Sequence, residues 1–150
     1  MRMLDRRMFR NRTHGEAGFT LIEILVVITI IALIMSLVGP RVLNYLGESK
    51  VKAAKIQIQS LSSSLDLFNL DTGRYPTTAE GLVALVQNPG NIQGWNGPYL
   101  KGNTVPNDPW GSPYVYRSPG EHDAYDIMSY GSDGQEGGTG TAADIQSWSR

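Results

Sequence analysis

Apolar side chains fill nearly every position of residues 19–39, and Glu23 is the single charged residue among them. At about 1.5 Å per residue, a helix of this length spans roughly 31 Å, close to the hydrocarbon thickness of a bilayer. The pattern therefore predicts a transmembrane helix over residues 19–39.

A different pattern follows, in which apolar residues recur at spacings of three and four and polar residues fall between them. It predicts that the helix continues as an amphipathic segment whose apolar stripe packs on a small sheet. Pro40, in "LVGPRVL", lacks an amide donor and crowds the carbonyl of Ser36, so we expect a kink or a locally unwound stretch, or a simple segment boundary. The stripe consists of Val51, Ala54, Ile58, Leu61, Leu65 and Phe68.

From Asp71 onward the sequence is rich in Gly, Pro, Asn and aromatic residues. "GRYPTTAEGLVAL" predicts a turn followed by a short helix, with Thr77 as N-cap and Glu80 completing a capping box. "GPYLKG", "SPYVYRS" and "AYDIMSYG" predict three short strands, the last two joined as a hairpin through residues 119–123. The fold class is therefore α+β, one long helix over a small antiparallel sheet with long Gly/Pro-rich loops.

Residues 1–18 carry five arginines and only two acids, Asp5 and Glu16. The positive-inside rule keeps such a segment in the cytoplasm and places the remainder of the chain outside. The apolar run is longer than the 7 to 15 residues usual in a secretory signal. The small residue that could mark a cleavage site at its end is followed by Pro40, which is a poor residue after a cleavage site. An ordinary removable signal is therefore disfavoured.

Glu23 requires an explanation, because an acid near the centre of a bilayer costs about 2.5 to 3.5 kcal/mol and less near an interface. Acids in such positions are usually functional or paired. The alternative is that Glu23, only about 6 Å along the axis from Phe19, reaches headgroup water. The interpretation that Glu23 is functional or paired is favoured.

The stretch "GFTLIEILVVITIIALI", preceded by a basic leader, resembles the type III signal of type IV pilins and pseudopilins. In that family a prepilin peptidase cuts after the glycine, here Gly18, and methylates the new N-terminal residue, here Phe19. The resemblance implies a cleaved leader over residues 1–18, a transmembrane helix over 19–39 and a periplasmic head over 40–150 that includes the amphipathic half of the helix.

The same resemblance gives Glu23 and Pro40 roles in assembly. Glu23 matches the family's glutamate, whose partner is the terminal amine of a neighbouring subunit. A buried cation and a buried anion, each unfavourable alone, become tolerable when subunits pack side by side. Assembled filaments of the family show helix melting near a proline placed like Pro40.

Four later segments carry a second resemblance: "GRYPTTAEGL", "NDPWGSPY", "PGEHDAYDIMSYGSDGQEGG" and "ADIQSW". They are similar to the major pseudopilins of type II secretion systems, a family also called general secretion pathway protein G. The resemblance implies a non-enzymatic subunit that polymerises in the periplasm and helps folded proteins cross the outer membrane. Its implied partners are other copies of the chain, minor pseudopilins, the inner-membrane assembly platform and the prepilin peptidase. The implied location is the inner membrane, single-pass, with a cytoplasmic N-terminus.

Charge and cysteine content narrow the possibilities further. The chain has 13 basic and 14 acidic residues, so losing the leader leaves a net charge near −4, which argues against nucleic acid as a partner. There is no cysteine, although exported domains meet an oxidising space where disulfides persist. Typical type IV pilus subunits often close their C-terminal loop with a disulfide, so this absence speaks against that class.

No catalytic constellation stands out. His14 lies in the leader and His122 in the predicted hairpin loop, and no cysteine is available as a nucleophile or soft metal ligand. Asp108, in "NDPWG", is either a lone acid or part of a tight turn, and the turn is favoured because Asn, Asp, Pro and Gly build turns. We therefore predict no enzymatic activity.

The loop "YGSDGQEGGTGTAADIQSW" is the candidate site, with acids flanking a glycine-rich stretch. A hard cation such as Ca²⁺ takes 6 to 8 oxygen ligands, but the spacing is not that of an EF-hand, so chemistry alone favours a solvated loop.

The second resemblance favours calcium, because the loop of major pseudopilins binds it through two aspartates, main-chain oxygens and a hydroxyl. Asp133 matches the first aspartate. Asp144 matches the end of the loop, although relatives often carry a second acid just before it, where this chain has alanines. The carbonyls of Tyr130 and Gln135 and the hydroxyl of Thr139 or Thr141 complete the candidate set.

Two alternative functions remain open. The first is a type IV pilus subunit or a minor pseudopilin, and loss of secretion with intact surface pili would separate it from a major pseudopilin. The second, from another class, is a membrane-anchored envelope binding module that never polymerises. Crosslinked ladders on overexpression would separate assembly from that module.

The processing site gives a first prediction. If cleavage follows Gly18, the mature chain begins with methylated Phe19, and Gly18→Val leaves the precursor in the inner membrane because the bulky side chain blocks the peptidase. Intact-mass analysis of parent and variant checks this. Assembled material that retains residues 1–18 would show the assignment to be wrong.

Overall fold

The computed structural model describes residues 18–149, and the arginine-rich leader with His14 lies outside them. The chain divides after Pro40 into two compact units. The first contains the apolar start of the long helix. The second contains the rest of that helix, a three-stranded sheet and the intervening loops.

Helix α1 runs over Leu21–Thr72. It begins after Thr20, whose carbonyl and hydroxyl oxygens both accept from the Glu23 amide, at 3.1 and 3.3 Å. Thr20 thus acts as an N-cap, a role that the sequence reading missed. The helix continues through Pro40, so the expected locally unwound stretch is wrong for the described chain. A single missing amide removes one ladder bond, and the flanking turns keep theirs. The alternative of a kink, and the melting near Pro40 in assembled filaments, stay predictions.

The amphipathic half of α1 buries the predicted stripe. Val51 is half-buried at its edge, and Ser64 is an unpredicted member whose hydroxyl lies 3.1 Å from the Tyr99 carbonyl oxygen. Because the buried side chains recur every three or four residues, they form one face of the helix, and that face is half of the head's core. The buried members are Ala54, Ile58, Leu61, Ser64, Leu65 and Phe68.

The predicted capping box is present, but it opens a turn instead of an α-helix. The Thr77 amide donates to Glu80 Oε2 at 2.7 Å, and the Glu80 amide donates to Thr77 Oγ1 at 3.2 Å. Arg74 also donates two hydrogen bonds of 2.7 Å to Glu80 and thereby lowers the pKa of that carboxyl to about 2, with help from the Thr77 amide. The helical turn that follows is a 3₁₀-helix over Leu82–Leu85, shorter than expected.

Three short strands form an antiparallel sheet in the order β1-β2-β3. Strand β1 covers Val115–Arg117, β2 covers Asp126–Ser129 and β3 covers Ile145–Gln146. The β1–β2 hairpin is the one predicted from the sequence, with Tyr116 opposite Ile127. Tyr116, Ile127 and Ile145 are buried in the same hydrophobic cluster as the stripe of α1, which completes the core.

The strand predicted at "GPYLKG" is wrong. The Tyr99 amide donates to the Leu85 carbonyl at 2.7 Å, and the Tyr99 carbonyl faces the Ser64 hydroxyl, so these groups are not available to a ladder. Pro98 has no amide to donate. The Tyr99 ring packs edge-on against Phe68, with 5.7 Å between centroids. The apolar character of this segment therefore reflects packing on α1.

Asp108 is buried, with only 4% of its surface exposed, and its carboxylate joins two segments of the chain. Its Oδ1 accepts from the amides of Trp110 and Ser112, at 3.0 and 2.8 Å, and its Oδ2 accepts from the Ser129 hydroxyl at 2.6 Å. The turn interpretation of "NDPWG" is confirmed. The carboxylate does more than form the turn, because it also binds the turn to the end of β2.

This junction gives a second prediction. Asp108→Ala leaves one buried donor, the Ser129 hydroxyl, and two half-buried amides without their acceptor, at about 1 to 3 kcal/mol for a buried group left unsatisfied. Thermal melting followed by circular dichroism should show a fall of roughly 10 °C or more, since 1 kcal/mol corresponds to about 4 to 8 °C in a domain of this size.

The matched control is Asp123→Ala, because Asp123 is exposed and, among residues 18–149, its carboxylate accepts only from the adjacent Ala124 amide. It should melt within a few degrees of the parent. Equal melting of the two variants would contradict the role given to Asp108.

Candidate functional site

The acidic, glycine-rich loop connects two paired strands, so both of its ends are fixed. It leaves β2 after Ser129 and enters β3 at Ile145, and these two residues lie opposite each other in the sheet. Just beyond, the Ser132 amide donates to the Thr141 carbonyl at 2.9 Å. The loop therefore has a closed neck built from main-chain hydrogen bonds.

Gly131 allows this neck to close. Its φ is 65°, in the left-handed region, and a Cβ there would lie 2.8 Å from the Thr141 oxygen and 2.9 Å from the Ala143 oxygen. Only glycine lets two carbonyl oxygens approach the backbone so closely. The second half of the loop consequently presents carbonyl oxygens toward the first half.

Within the loop, Asp144 has a buried carboxylate oxygen without a partner in the described chain, a feature that Asp126 of the β1–β2 hairpin shares. The Oδ2 of Asp144 accepts from the Gly137 amide at 3.0 Å, whereas its Oδ1 is buried and has no hydrogen-bond partner among the described residues. An ionised oxygen that is removed from water without a partner is strongly unfavourable, unless a cation or a bound water contacts it. This oxygen suits a hard cation.

Asp133 accepts from an amide in the same part of the loop. Its Oδ1 accepts from the Gln135 amide at 3.1 Å, two residues before the amide that Asp144 accepts. The two aspartates thus bracket residues 135–137. Among the other candidates, Tyr130 and Thr141 are half-buried, and Gln135 and Thr139 are exposed.

Within residues 18–149, no group of three or more His, Cys, Asp or Glu side chains is placed to hold a metal. A soft or borderline metal such as zinc is therefore poorly served by this chain. A hard cation is different, because carbonyls, hydroxyls and water complete its shell around one or two carboxylates. The donors in the loop are of that kind.

The residues assigned to processing and assembly lie at the start of the described chain. Gly18 and Phe19 precede α1, and Glu23 lies in its first turn. Both Phe19 and Glu23 are exposed. No hydrogen bond or ion pair joins the Glu23 carboxylate to another of residues 18–149, so nothing within that part of a single chain compensates its charge.

A third cluster was not foreseen from the sequence. His122 lies in the β1–β2 hairpin loop as predicted, and its ring stacks on Trp148 with 4.1 Å between centroids. Its Nδ1 lies 3.1 Å from Asp126 Oδ2, which also accepts from the Glu121 amide. Burial raises the pKa of Asp126, but the hydrogen bonds from Glu121 and His122 outweigh it and hold that pKa below its ordinary value. The cluster fastens the hairpin to the C-terminal segment, beside an open pocket of about 350 Å³.

Comparison with known proteins gives consistent matches over both parts of the chain. Residues 41–148 match the family described as type II secretion system protein G, and residues 13–39 match the prokaryotic N-terminal methylation motif. The type II secretion system core protein G of Pseudomonas aeruginosa is 45% identical, covering 89% of this chain and 95% of its own length. That of Vibrio cholerae is 42% identical, with 91% and 94% covered.

A solved structure matches as well. The crystal structure of the major pseudopilin from the type 2 secretion system of enterohaemorrhagic Escherichia coli superposes with a TM-score of 0.55 at 35% sequence identity. The match covers 67% of this chain and 88% of that one.

Proposed function

Because the chain belongs to the type II secretion system protein G family, we propose that it is the major pseudopilin, a structural subunit that polymerises through its apolar N-terminal segment. The observation that carries the proposal is the apolar part of α1. Among the described residues, α1 is the one helix long and apolar enough to cross a membrane, and none of that stretch is buried within the chain. A membrane-anchored binding module that never polymerises would use the same surface only as an anchor, and the formation of filaments separates it from a pseudopilin.

This surface must be covered by something other than its own chain. Exposed apolar area is unfavourable in water at about 25 cal/mol per Å², and large side chains such as Leu21, Leu33 and Leu37 are about 70% exposed or more. Lipid covers them while the chain is a membrane protein, and neighbouring copies cover them in a filament. The same segment therefore serves first as an anchor and then as the assembly interface.

Glu23 determines which copies fit together. Cleavage after Gly18 creates a cationic amine on Phe19, and Glu23 lies one helical turn further along. In a low-dielectric bundle each charge alone is unfavourable, and pairing the amine of one copy with the carboxylate of the next offsets both penalties. Pairing between copies favours a fixed axial step, which is what a filament requires.

The location and partners follow from this proposal. The subunit lies in the inner membrane with its N-terminus in the cytoplasm, where the peptidase cuts, and its head in the periplasm. It polymerises with further copies, starts from minor pseudopilins on an inner-membrane assembly platform, and drives folded proteins across the outer membrane. The acidic mature chain has no part in nucleic-acid binding.

Calcium is proposed as the structural cofactor of the loop. The support is the unpartnered Asp144 Oδ1 together with the second carboxylate, Asp133, on the same segment. Main-chain oxygens of Tyr130 and Gln135, and the hydroxyl of Thr139 or Thr141, would add to them. When bound, the cation neutralises the acids and cross-links the two halves of the loop, the task that a disulfide performs elsewhere.

The assembly proposal is tested at Glu23. Glu23→Val should leave cleavage and membrane insertion intact but abolish filaments, because the terminal amine of the neighbouring copy loses its partner. Intact mass reports cleavage, and immunoblots of sheared filaments report assembly. Ile24→Val, at the next position of the same exposed stretch, is the control and should assemble like the parent. A Glu23→Val variant that forms filaments and supports secretion would refute the pairing. Loss of cleavage would instead show that Glu23 acts in recognition by the peptidase.

The calcium proposal is tested on a soluble head lacking residues 1–43. Cation binding at 100 times the dissociation constant stabilises a fold by about 2.7 kcal/mol, so chelation should lower the melting temperature by several degrees or more. Asp133→Ala should reproduce that loss and abolish the response to calcium, whereas Glu136→Ala should change little. Calorimetry that detects no binding at millimolar calcium, with identical melting in chelator, would disprove the site.

A further inference from the structure

Gly47 lies where the glycine-rich loop meets helix α1. It is half-buried, although residues 41–46 before it and 48–49 after it are all exposed. A Cβ placed on Gly47 would lie 2.7 Å from Cγ2 of Thr141, so either that methyl group or the loop that carries it would have to shift. The loop therefore rests on α1 at the position where the helix has no side chain.

Thr141 is a central residue of the loop neck. Its carbonyl accepts from the Ser132 amide at 2.9 Å, and its hydroxyl lies 3.4 Å from the Ser132 hydroxyl. It belongs to the short 3₁₀-helix Gly140–Ala142, only three residues before Asp144. A shift of Thr141 away from α1 would therefore disturb the neck and the segment that positions Asp144.

The surroundings of this contact are open. Thr139, Gly140 and Thr141 line a groove of about 670 Å³ together with α1 residues on either side of Gly47. Beside this groove, the loop and the helix approach each other closely at Gly47 and Thr141. The α1 residues that line the groove are Asn44, Glu48, Val51, Lys52 and Lys55.

From this geometry we infer that Gly47 is a positioning residue for the cation-binding loop. Its missing side chain lets Thr141 settle on α1, and that position brings Asp144 and the loop carbonyls to the distance at which they hold the cation. The inference rests on the proposed calcium site. It also means that calcium binding and the order of α1 around Gly47 are coupled, and such coupling is reciprocal.

Helix propensity makes the inference testable with a clear signature. Glycine is one of the least favourable residues in a helix interior and alanine the most favourable. Gly47→Ala should therefore keep or raise the helical content of α1 while weakening calcium binding. If Gly47 had a merely structural role, Gly47→Ala would not weaken calcium binding while the helical content of α1 is kept or raised.

The experiment is calorimetric titration of the full-length protein in detergent with calcium chloride. Gly47→Ala should raise the Kd for calcium by about tenfold, because the added methyl group overpacks the contact. The double variant Gly47→Ala with Thr141→Ser removes the colliding Cγ2 and keeps the hydroxyl, so its Kd should return to that of Thr141→Ser alone. Ser49→Ala, exposed on the same helix, is the control and should bind like the parent.

The outcomes separate the inference from the proposal beneath it. If the parent binds no calcium, the site itself is wrong and the inference falls with it. If the parent binds and Gly47→Ala binds equally well, calcium stands and the positioning role is refuted. Weakened binding that Thr141→Ser does not rescue also overturns the inference, because the loss then does not arise from the methyl contact.

Discussion

The anchoring and the assembly of this protein depend on an apolar surface that its own chain does not cover. The first part of α1 exposes leucine, isoleucine and valine side chains on all sides, and none of that stretch is buried. The hydrophobic effect allows such a surface to persist only in lipid or against similar surfaces. Both environments penalise a lone charge, and the proposed pairing supplies Glu23 with a cation. In that proposal, anchoring, register and polymerisation follow from the same constraint.

The head is under a different constraint, because its long loops surround a small core and no disulfide can hold them in place. One face of α1 and the inner side of three short strands supply the core, and the loops are fastened by carboxylates. Asp108 binds a turn to β2, Glu80 closes the capping box, and Asp126 holds the hairpin that stacks on Trp148. Asp144 belongs to this series, and its Oδ1, like that of Asp126, is buried without a hydrogen-bond partner among the described residues. In the glycine-rich loop, a cation would supply that partner.

Features with a strong local signal could be predicted from the sequence, and features without one could not. The stripe from Ala54 to Phe68 was predictable because a long helix repeats its signal many times. The capping box was predictable because its partners lie three residues apart. Strand β3 has only two residues and therefore no period, and "GPYLKG" resembled a strand because its apolar residues pack on α1. The contacts of Asp108 with Ser129 and of Gly47 with Thr141 join distant segments, which no local pattern encodes.

The central claim is that copies of this chain assemble through their apolar helices, and cryo-electron microscopy of filaments formed by the processed chain tests it most directly. The account predicts a central bundle made of residues 19–39, with each Glu23 carboxylate beside the Phe19 amine of a neighbouring copy and the heads arranged outside. A reconstruction in which the heads alone make the contacts between copies, with the apolar helices separated from one another, would contradict it.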